Sequence, residues 1–114
     1  MGRAAPAGLH KISVKSLKSP EWRRLARRAK YRAGGLAALL EVSRRQLQRH
    51  TRRAFGKSPQ EWLDQERLKH AAKSLRSGGS VKLVAFSLGF KQVSHFSREF
   101  RRFHGVPPSK LKLL

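Results

Sequence analysis

GFKQVSHFSREFRRFHGVPP, residues 89–108, has the spacing of apolar and basic residues that is typical of an amphipathic helix. At about 100° per residue, its apolar stripe consists of Val93, Phe96, Phe100 and Phe103. The opposite arc consists of polar and basic side chains: Lys91, Ser94, His95, Arg98, Arg101 and Arg102. Spaced aromatic residues on one helical face usually pack a core, so we interpret the stripe as core and not as a cofactor site. The stretch predicts a helix over about residues 92–104, ended by Gly105 and the prolines after it.

An earlier stretch, residues 36–59, repeats this pattern. Ala37 corresponds to Ala85, and after one extra residue in the second turn the matched pairs are Leu47 and Phe96, Arg49 and Arg98, Arg52-Arg53 and Arg101-Arg102, Gly56 and Gly105, and Pro59 and Pro108. In the earlier copy one helical face consists of Leu47, His50, Thr51 and Ala54, and the other of Arg45, Gln48, Arg49, Arg52 and Arg53. A short helix, a tight turn and a second helix rich in arginine form the order of a helix-turn-helix. The chain is therefore predicted to carry this motif twice.

Caps and glycines predict the remaining helices. Pro20 opens a helix that runs through about Arg32, where Gly34-Gly35 ends it, and short helices follow at about 36–40 and 44–55. Ser58 and Glu61 form a capping box for a helix that runs to about residue 76. Further helices are expected at about 81–88 and 92–104, with a short last one. Because period-two alternation is almost absent, the predicted fold is all-α.

The predicted architecture is two helix-turn-helix subdomains, each a homeodomain-like three-helix unit, joined by a long central helix. The expected boundaries are a disordered basic arm at 1–18, the first subdomain at 19–57, the linker helix at 58–77 and the second subdomain at 78–114. A helix of the linker's length rises roughly 25 Å, which is of the order of one turn of B-DNA.

Positive charge is the dominant feature of the composition. Lys and Arg number 27 against 6 Asp and Glu, a formal net charge of +21. Acidic residues are absent from Val42 to Gln60 and from Arg67 to Arg98, so the basic helical faces lack the mixed signs of an ordinary solvated face. Two stripes of one sign repel themselves, which indicates an anionic partner. We interpret that partner as nucleic acid.

The same composition argues against an enzyme, a metal site or a bound cofactor. The chain has no cysteine, its 5 histidines lack a metal-ligand spacing, and its few carboxylates leave little scope for acid–base chemistry. Neither glycine pair has the spacing of a phosphate-binding loop. The apolar runs are far short of the ~20 residues that cross a bilayer, and no signal peptide is evident. We therefore expect a cytoplasmic, nucleoid-associated protein with no contact to membranes.

With these residues identified, the sequence resembles the DNA-binding domain of AraC/XylS-type transcriptional regulators over about residues 36–112. The stretch at 89–108 carries the most specific part of the likeness, and the other matched positions are Leu36-Ala37, Ser43, Leu47, Arg49, Gly56, Ser58-Pro59, Trp62-Leu63, Arg67-Leu68, Ala71 and Val84-Ala85. The resemblance implies two recognition helices in successive major grooves of double-stranded DNA, and contact with RNA polymerase. We expect a monomer with no site for a small-molecule effector within this chain, which is either a stand-alone regulator or the C-terminal piece of a longer one.

Carried over position by position, the resemblance implies two sets of DNA contacts. Those to base edges are Arg45, Gln48, Arg49, Gln92, Val93, His95 and Arg98. Arginine suits guanine and glutamine suits adenine, whereas Val93 could meet a thymine methyl group or complete the core, which we favour. The contacts to phosphate are Ser43, Arg44, Arg52, Arg53, Lys91, Ser94, Arg101 and Arg102.

Four departures from the family pattern concern stability more than function. Glu41 replaces the glycine of the first turn, Thr51 replaces a large core aromatic, Leu83 replaces the acid of a capping box on Ser80, and Leu111-Lys112 replaces a Tyr-Arg pair. The alternative reading of the charge is a nonspecific nucleoid-associated or RNA-binding protein. It explains the net charge equally well, but not the duplicated motif with glutamine among the arginines. A membrane-active amphipathic helix would not need the caps, turns and aromatic core.

Overall fold

The structure, a computed structural model, describes residues 20–112, and over that range it is all-α as predicted, with no strand. The helices are α1 Pro20–Arg28, α2 Ala33–Leu40, α3 Arg44–Phe55, α4 Pro59–Arg76, α5 Val81–Ser87, α6 Val93–His104 and α7 Pro108–Lys112. The predicted basic arm at 1–18 lies outside the described residues.

The first predicted helix end is wrong. α1 ends at Arg28 and not near residue 32, and Gly34-Gly35 lie inside α2. The chain leaves α1 through Lys30 and Tyr31, both left-handed with φ of 55° and 58°. The amide of Tyr31 then donates to the carbonyl of Ala26 at 3.0 Å. Two non-glycine residues thus perform the turn that the sequence had assigned to the glycines.

Gly35 has a packing role. A Cβ atom at this position would lie 2.9 Å from the carbonyl oxygen of Ala29. The glycine therefore permits the close approach of α2 to the end of α1, and does not end a helix.

The capping signals and the later helices agree with the sequence. The amide of Glu61 donates to Ser58 Oγ at 3.2 Å, and Ser58 N donates to Glu61 Oε1 at 3.0 Å, which is the predicted capping box. Helix α3 has the predicted bounds. Helix α6 begins at Val93, with Gln92 as its N-cap. On Ser80 the hydroxyl accepts from Leu83 N at 3.0 Å, so only one half of a capping box is present, as Leu83 implies.

The contacts of the chain divide it into two units, with the boundary between Glu66 and Arg67, inside α4. The first unit is the described chain up to Glu66 and the second unit is the described chain from Arg67. The subdomain boundaries expected from the sequence remain a prediction.

The turns of the two units share a backbone hydrogen bond and a left-handed residue at matched positions. In the first unit Val42 N donates to the carbonyl of Ala37 at 3.0 Å, and in the second Phe90 N donates to that of Ala85 at 3.0 Å. Glu41, with φ of 56°, occupies the left-handed position that Gly89, with φ of 92°, holds in the second unit. Lys91 is the extra residue of the second turn. The pairing of positions therefore matches the duplication derived from the sequence.

The core of the first unit is centred on Trp22, which is fully buried and meets Trp62 edge to face at 6.2 Å between ring centroids. Phe55 stacks on the same Trp62 ring at 5.6 Å. Leu36, Leu40 and Leu47 complete the core, while Thr51 is fully buried and donates its hydroxyl hydrogen to the carbonyl of Gln48. Phe55 and Trp62 thus supply the aromatic packing in the unit where Thr51 offers no ring.

Aromatic side chains dominate the core of the second unit. Phe96 and Phe100 are fully buried, and their ring centroids lie 5.6 Å apart. The Phe90 ring packs edge to face on the Phe96 ring at 5.1 Å between centroids. Ala85 is also fully buried, which allows α5 and α6 to cross closely. The predicted apolar stripe of α6 is therefore core, with Val93 and Phe103 half-buried at its edges.

Candidate nucleic-acid interface

The outer face of α3 carries the predicted base-reading residues of the first unit. Leu47 and Thr51 are buried, which fixes the rotation of the helix. The exposed residues of α3 are Arg44, Arg45, Gln46, Gln48, Arg49, Arg52 and Arg53. All the predicted contact residues of this helix therefore lie in solvent, and those for base edges lie together on one side of it.

Ser43 and Gln46 shape the start of this face. Ser43 Oγ accepts from Gln46 N at 3.0 Å, and Ser43 N donates to Gln46 Oε1 at 2.9 Å, so the two residues form a capping box. Ser43, predicted to contact phosphate, thus first serves as an N-cap, although its hydroxyl hydrogen can still be donated. Gln46 is not among the residues predicted for the site, although the Ser-x-x-Gln spacing identifies it.

Arg44 lies over the neighbouring helix. Its Nη1 atom is 3.5 Å from the position that a Cβ would take at Gly34, in the first turn of α2. The absence of a side chain at Gly34 therefore leaves room for this guanidinium. Arg44 remains exposed and available to an anion.

The outer face of α6 is built in the same way. Phe96 and Phe100 point into the core, while Ser94, His95 and Arg98 are exposed. Val93 is only half-buried, so its two interpretations both stay open.

The residues that precede α6 are also accessible. Gln92 is an N-cap with extended backbone and no side-chain cap hydrogen bond, so its amide group is not used in capping. Lys91 is exposed beside it. The predicted base contacts of the second unit, together with Lys91 and Ser94, therefore lie in the turn and the first half of α6.

His95 is held by the turn before it. Its ring meets the ring of Phe90 edge to face at 5.5 Å, and Phe90 is buried. This predicted base-reading residue thus contacts the aromatic core.

Arg67, which the sequence analysis did not assign to the site, supports this arrangement from α4. Its guanidinium carbon lies 3.9 Å from the centroid of the Phe90 ring, and Nη1 donates to the carbonyl of Leu88 at 3.4 Å. Arg67 also lines a surface depression with residues of the turn and of α6, among them Lys91, Gln92, His95 and Arg98.

Leu68, which follows Arg67 in α4, contacts the last turn of α6. The carbonyl of Leu68 hydrogen-bonds to His104 Nε2 at 2.9 Å. Two consecutive residues of α4 therefore hold the turn before α6 and the last turn of α6. Because these contacts join positions more than 20 residues apart, helical periodicity could not reveal them.

The last turns of α3 and α6 carry paired arginines. Arg101 and Arg102 are exposed, and Arg102 forms an ion pair with Glu99 at 3.5 Å, where Glu99 is partly buried. An exposed pair one turn apart contributes little stability, so Arg102 can exchange this carboxylate for a phosphate.

Two pKa shifts report the local environment of the first unit. The pKa of His50 lies below its ordinary value, chiefly because the ring is partly buried and then because Arg53 and Arg49 are nearby. Backbone and side-chain hydrogen bonds from Ser58 lower the pKa of Glu61. The arginines of α3 thus create a positive potential that disfavours a further cation and favours an anion.

Within residues 20–112 no group of three or more His, Cys, Asp or Glu residues could hold a metal ion. None of the helices described is long and apolar enough to cross a membrane.

Comparison with known proteins agrees with this geometry. A family model described as "Helix-turn-helix domain" matches residues 36–113. The transcriptional activator RhaS of Escherichia fergusonii is 41% identical over 81 residues, which cover 70% of this chain and 28% of RhaS. The transcriptional regulator MtrA of Neisseria gonorrhoeae is 33% identical over 78 residues, covering 68% of this chain and 26% of MtrA. The chain thus spans less than a third of the length of these relatives.

Two solved structures share the fold. The C-terminal domain of the response regulator yesN from Fusobacterium nucleatum has a TM-score of 0.66 at 20% identity, covering 83% of this chain and 98% of that domain. A probable AraC family regulator from Rhodopseudomonas palustris has a TM-score of 0.60 at 27% identity, covering 80% of this chain and 93% of the other. RhaS and MtrA are both regulators of transcription. The chain therefore belongs to the AraC/XylS family of transcriptional regulators, and residues 36–113 correspond to its helix-turn-helix domain.

Proposed function

We propose that this chain is a sequence-specific regulator of transcription that binds double-stranded DNA through α3 and α6, at about residues 44–55 and 92–104. The observation that carries the proposal is the repeated recognition helix, buried on one face and exposed and cationic on the other. A helix with this polarity fits the major groove, where its exposed side chains reach base edges. We propose that the two helices enter adjacent major grooves of one duplex.

The base readers differ between the two units. In the first unit Arg45 and Arg49 suit guanine O6 and N7, and Gln48 suits adenine N6 and N7. In the second unit the proposed readers are Gln92, His95 and Arg98, with Val93 on a thymine methyl group. Two different sets of side chains would read two different half-sites. A nonpalindromic operator is therefore expected.

The remaining cations and hydroxyls would contact phosphate. The proposed residues are Ser43, Arg44, Arg52, Arg53, Lys91, Ser94, Arg101 and Arg102. All eight are exposed. Such contacts fix the register of the protein on DNA without reading sequence.

The proposal extends to how the protein acts. It would bind as a monomer, because one chain already carries two recognition helices, and it would contact RNA polymerase from the DNA. The net charge of +21 favours one other function, sequence-independent packaging of DNA or RNA.

Selection of DNA from a random pool, followed by footprinting of the selected sequence, separates these two functions. We expect protection of about two adjacent major-groove segments and a preference well above about tenfold over random duplex at physiological salt. Equal binding to every duplex would contradict a regulator and support a packaging protein.

A pair of substitutions tests the division between readers and phosphate contacts. Arg49→Ala should relax the preference at one base position. Arg102→Ala should weaken all duplexes alike and lower the slope of log K against log salt by about one. If the two variants behaved identically, the assigned roles would be wrong.

A further inference from the structure

The outer face of α1 is a cationic surface that belongs to neither recognition helix. It consists of Arg23, Arg24, Arg27 and Arg28, all of which are exposed. At about 100° per residue these four positions fall within an arc of about 140°, opposite the core. The rotation of the helix is fixed, because Trp22 and Ala26 on the other face are fully buried. We call these four arginines the α1 face.

Helix stability does not explain this arrangement. Arg23 with Arg27, and Arg24 with Arg28, are like charges at i and i+4, a spacing that destabilises a helix. Within residues 20–112 none of the four forms an ion pair with another side chain. Arg27 and Arg28 lie in the last turn, where the helix dipole favours a cation, but Arg23 and Arg24 lie earlier.

The residue type indicates phosphate as the missing anion. Guanidinium groups bind phosphate through two parallel hydrogen bonds, whereas lysine acts as a point charge. All four cations of the α1 face are arginine. The exposed cations of α4 are mostly lysine: Lys69, Lys73 and Arg76. Rows of arginine spaced about 6 Å along the helix axis suit a ligand with closely spaced, repeating negative charge.

We propose that the α1 face binds the phosphate backbone of duplex DNA, in addition to the phosphates contacted by α3. This inference rests on the proposed function, since it assigns a second contact to the same ligand. The phosphates belong to the DNA that flanks the groove read by α3, because α1 and α3 lie in the same unit. The contact adds affinity and salt dependence without adding base preference.

The test compares two variants of the full chain that carry the same net charge. In the first, Arg23, Arg24, Arg27 and Arg28 are replaced by Gln. In the second, the control, four exposed cations elsewhere are replaced by Gln: Lys69, Lys73, Arg76 and Lys110. Glutamine keeps helix propensity and relieves repulsion, so circular dichroism should show unchanged helix content and a Tm that is not lowered.

The readout is the slope of log K against log salt, measured on the selected operator with flanking DNA. The slope falls by about 0.9 for each lost phosphate contact, so the α1 variant should lose about 2 to 4 in slope while its base preference stays unchanged. The control should lose less than about one. An unchanged slope in the α1 variant, or an equal fall in both variants, would overturn the proposal.

A further arm tests the source of the phosphate. Trimming the operator to the protected grooves should abolish the difference between wild type and the α1 variant. A difference that persists on the trimmed operator, or two differently labelled duplexes joined by wild type and not by the α1 variant, would overturn the assignment to flanking DNA. If wild type binds random and selected DNA equally, the proposed function fails, but the slope comparison still tests the α1 face.

Discussion

Replacing Glu41 by glycine should stabilise the first unit. Glu41 is the C-cap of α2 and holds φ 56° and ψ 44°, while Gly89 makes the same turn in the second unit. The left-handed conformation costs an L-residue about 1–2 kcal/mol, and glycine loses about 0.4–1 kcal/mol through the greater freedom of the unfolded chain. The net gain in the free energy of unfolding should be about 0.5–1 kcal/mol for Glu41→Gly.

Tryptophan fluorescence measures this gain selectively. The chain has 2 tryptophans, Trp22 and Trp62, and both are buried in the first unit. With an m-value of about 1 kcal/mol/M in urea, the unfolding midpoint should rise by about 0.5–1 M.

Glu41→Gln is the matched control, because it removes the charge at the negative end of α2 but keeps a side chain in the left-handed conformation. It should raise the midpoint by less than Glu41→Gly. If Gln raised it as much as Gly, charge and not backbone strain would be the cause. A lower midpoint for Glu41→Gly would refute the reasoning outright.

Three other substitutions have defined outcomes. The pKa of His50 in the folded protein lies below its unfolded value of about 6.5, so acidification protonates the unfolded chain first. The stability that the neutral ring contributes above about pH 6.5 is therefore lost as the pH falls through the folded pKa. The urea midpoint from tryptophan fluorescence should therefore fall as the pH is lowered below about 6.5 in wild type and fall less in His50→Gln. Parallel curves would contradict this. Phe96→Ala should lower the free energy of unfolding of the second unit by about 3–5 kcal/mol, because the ring is fully buried. Unfolding can be monitored by circular dichroism, and a loss below about 1 kcal/mol would contradict the core role of Phe96. Arg67→Lys keeps the charge but loses the planar contact with Phe90. The base preference at the position read by His95 should therefore weaken, while the slope of log K against log salt stays constant. A slope lowered by about one with unchanged base preference would make Arg67 a phosphate contact instead.

Local signals in the sequence predict most of the fold. The start of α4 follows from Ser58 and Glu61, whose side chains bond to backbone only three residues away. The end of α3 follows from Gly56, its left-handed C-cap. The faces of α3 and α6 follow from helical periodicity because each helix keeps most of its basic side chains on the side opposite its buried ones. These interactions are local, so neighbouring residues suffice to reveal them.

The errors and omissions involve contacts that are distant in sequence. Gly34-Gly35 suggested the end of a helix, but Gly35 is required by the approach of Ala29, and the real turn uses left-handed Lys30 and Tyr31. Gln60 holds that turn from α4 by donating to the carbonyl of Tyr31 at 2.8 Å. Arg67 reaches Phe90 in a similar way. No pattern within one helix encodes such partners.

The most direct measurement of the central claim is the base preference of Arg49→Ala and Arg98→Ala, each determined over every position of the selected operator. One variant should relax preference in one major-groove segment and the other in the next, with the two affected positions about 10 bp apart. Relaxation at the same position, or a uniform loss of affinity in both variants, would contradict two recognition helices that read one duplex.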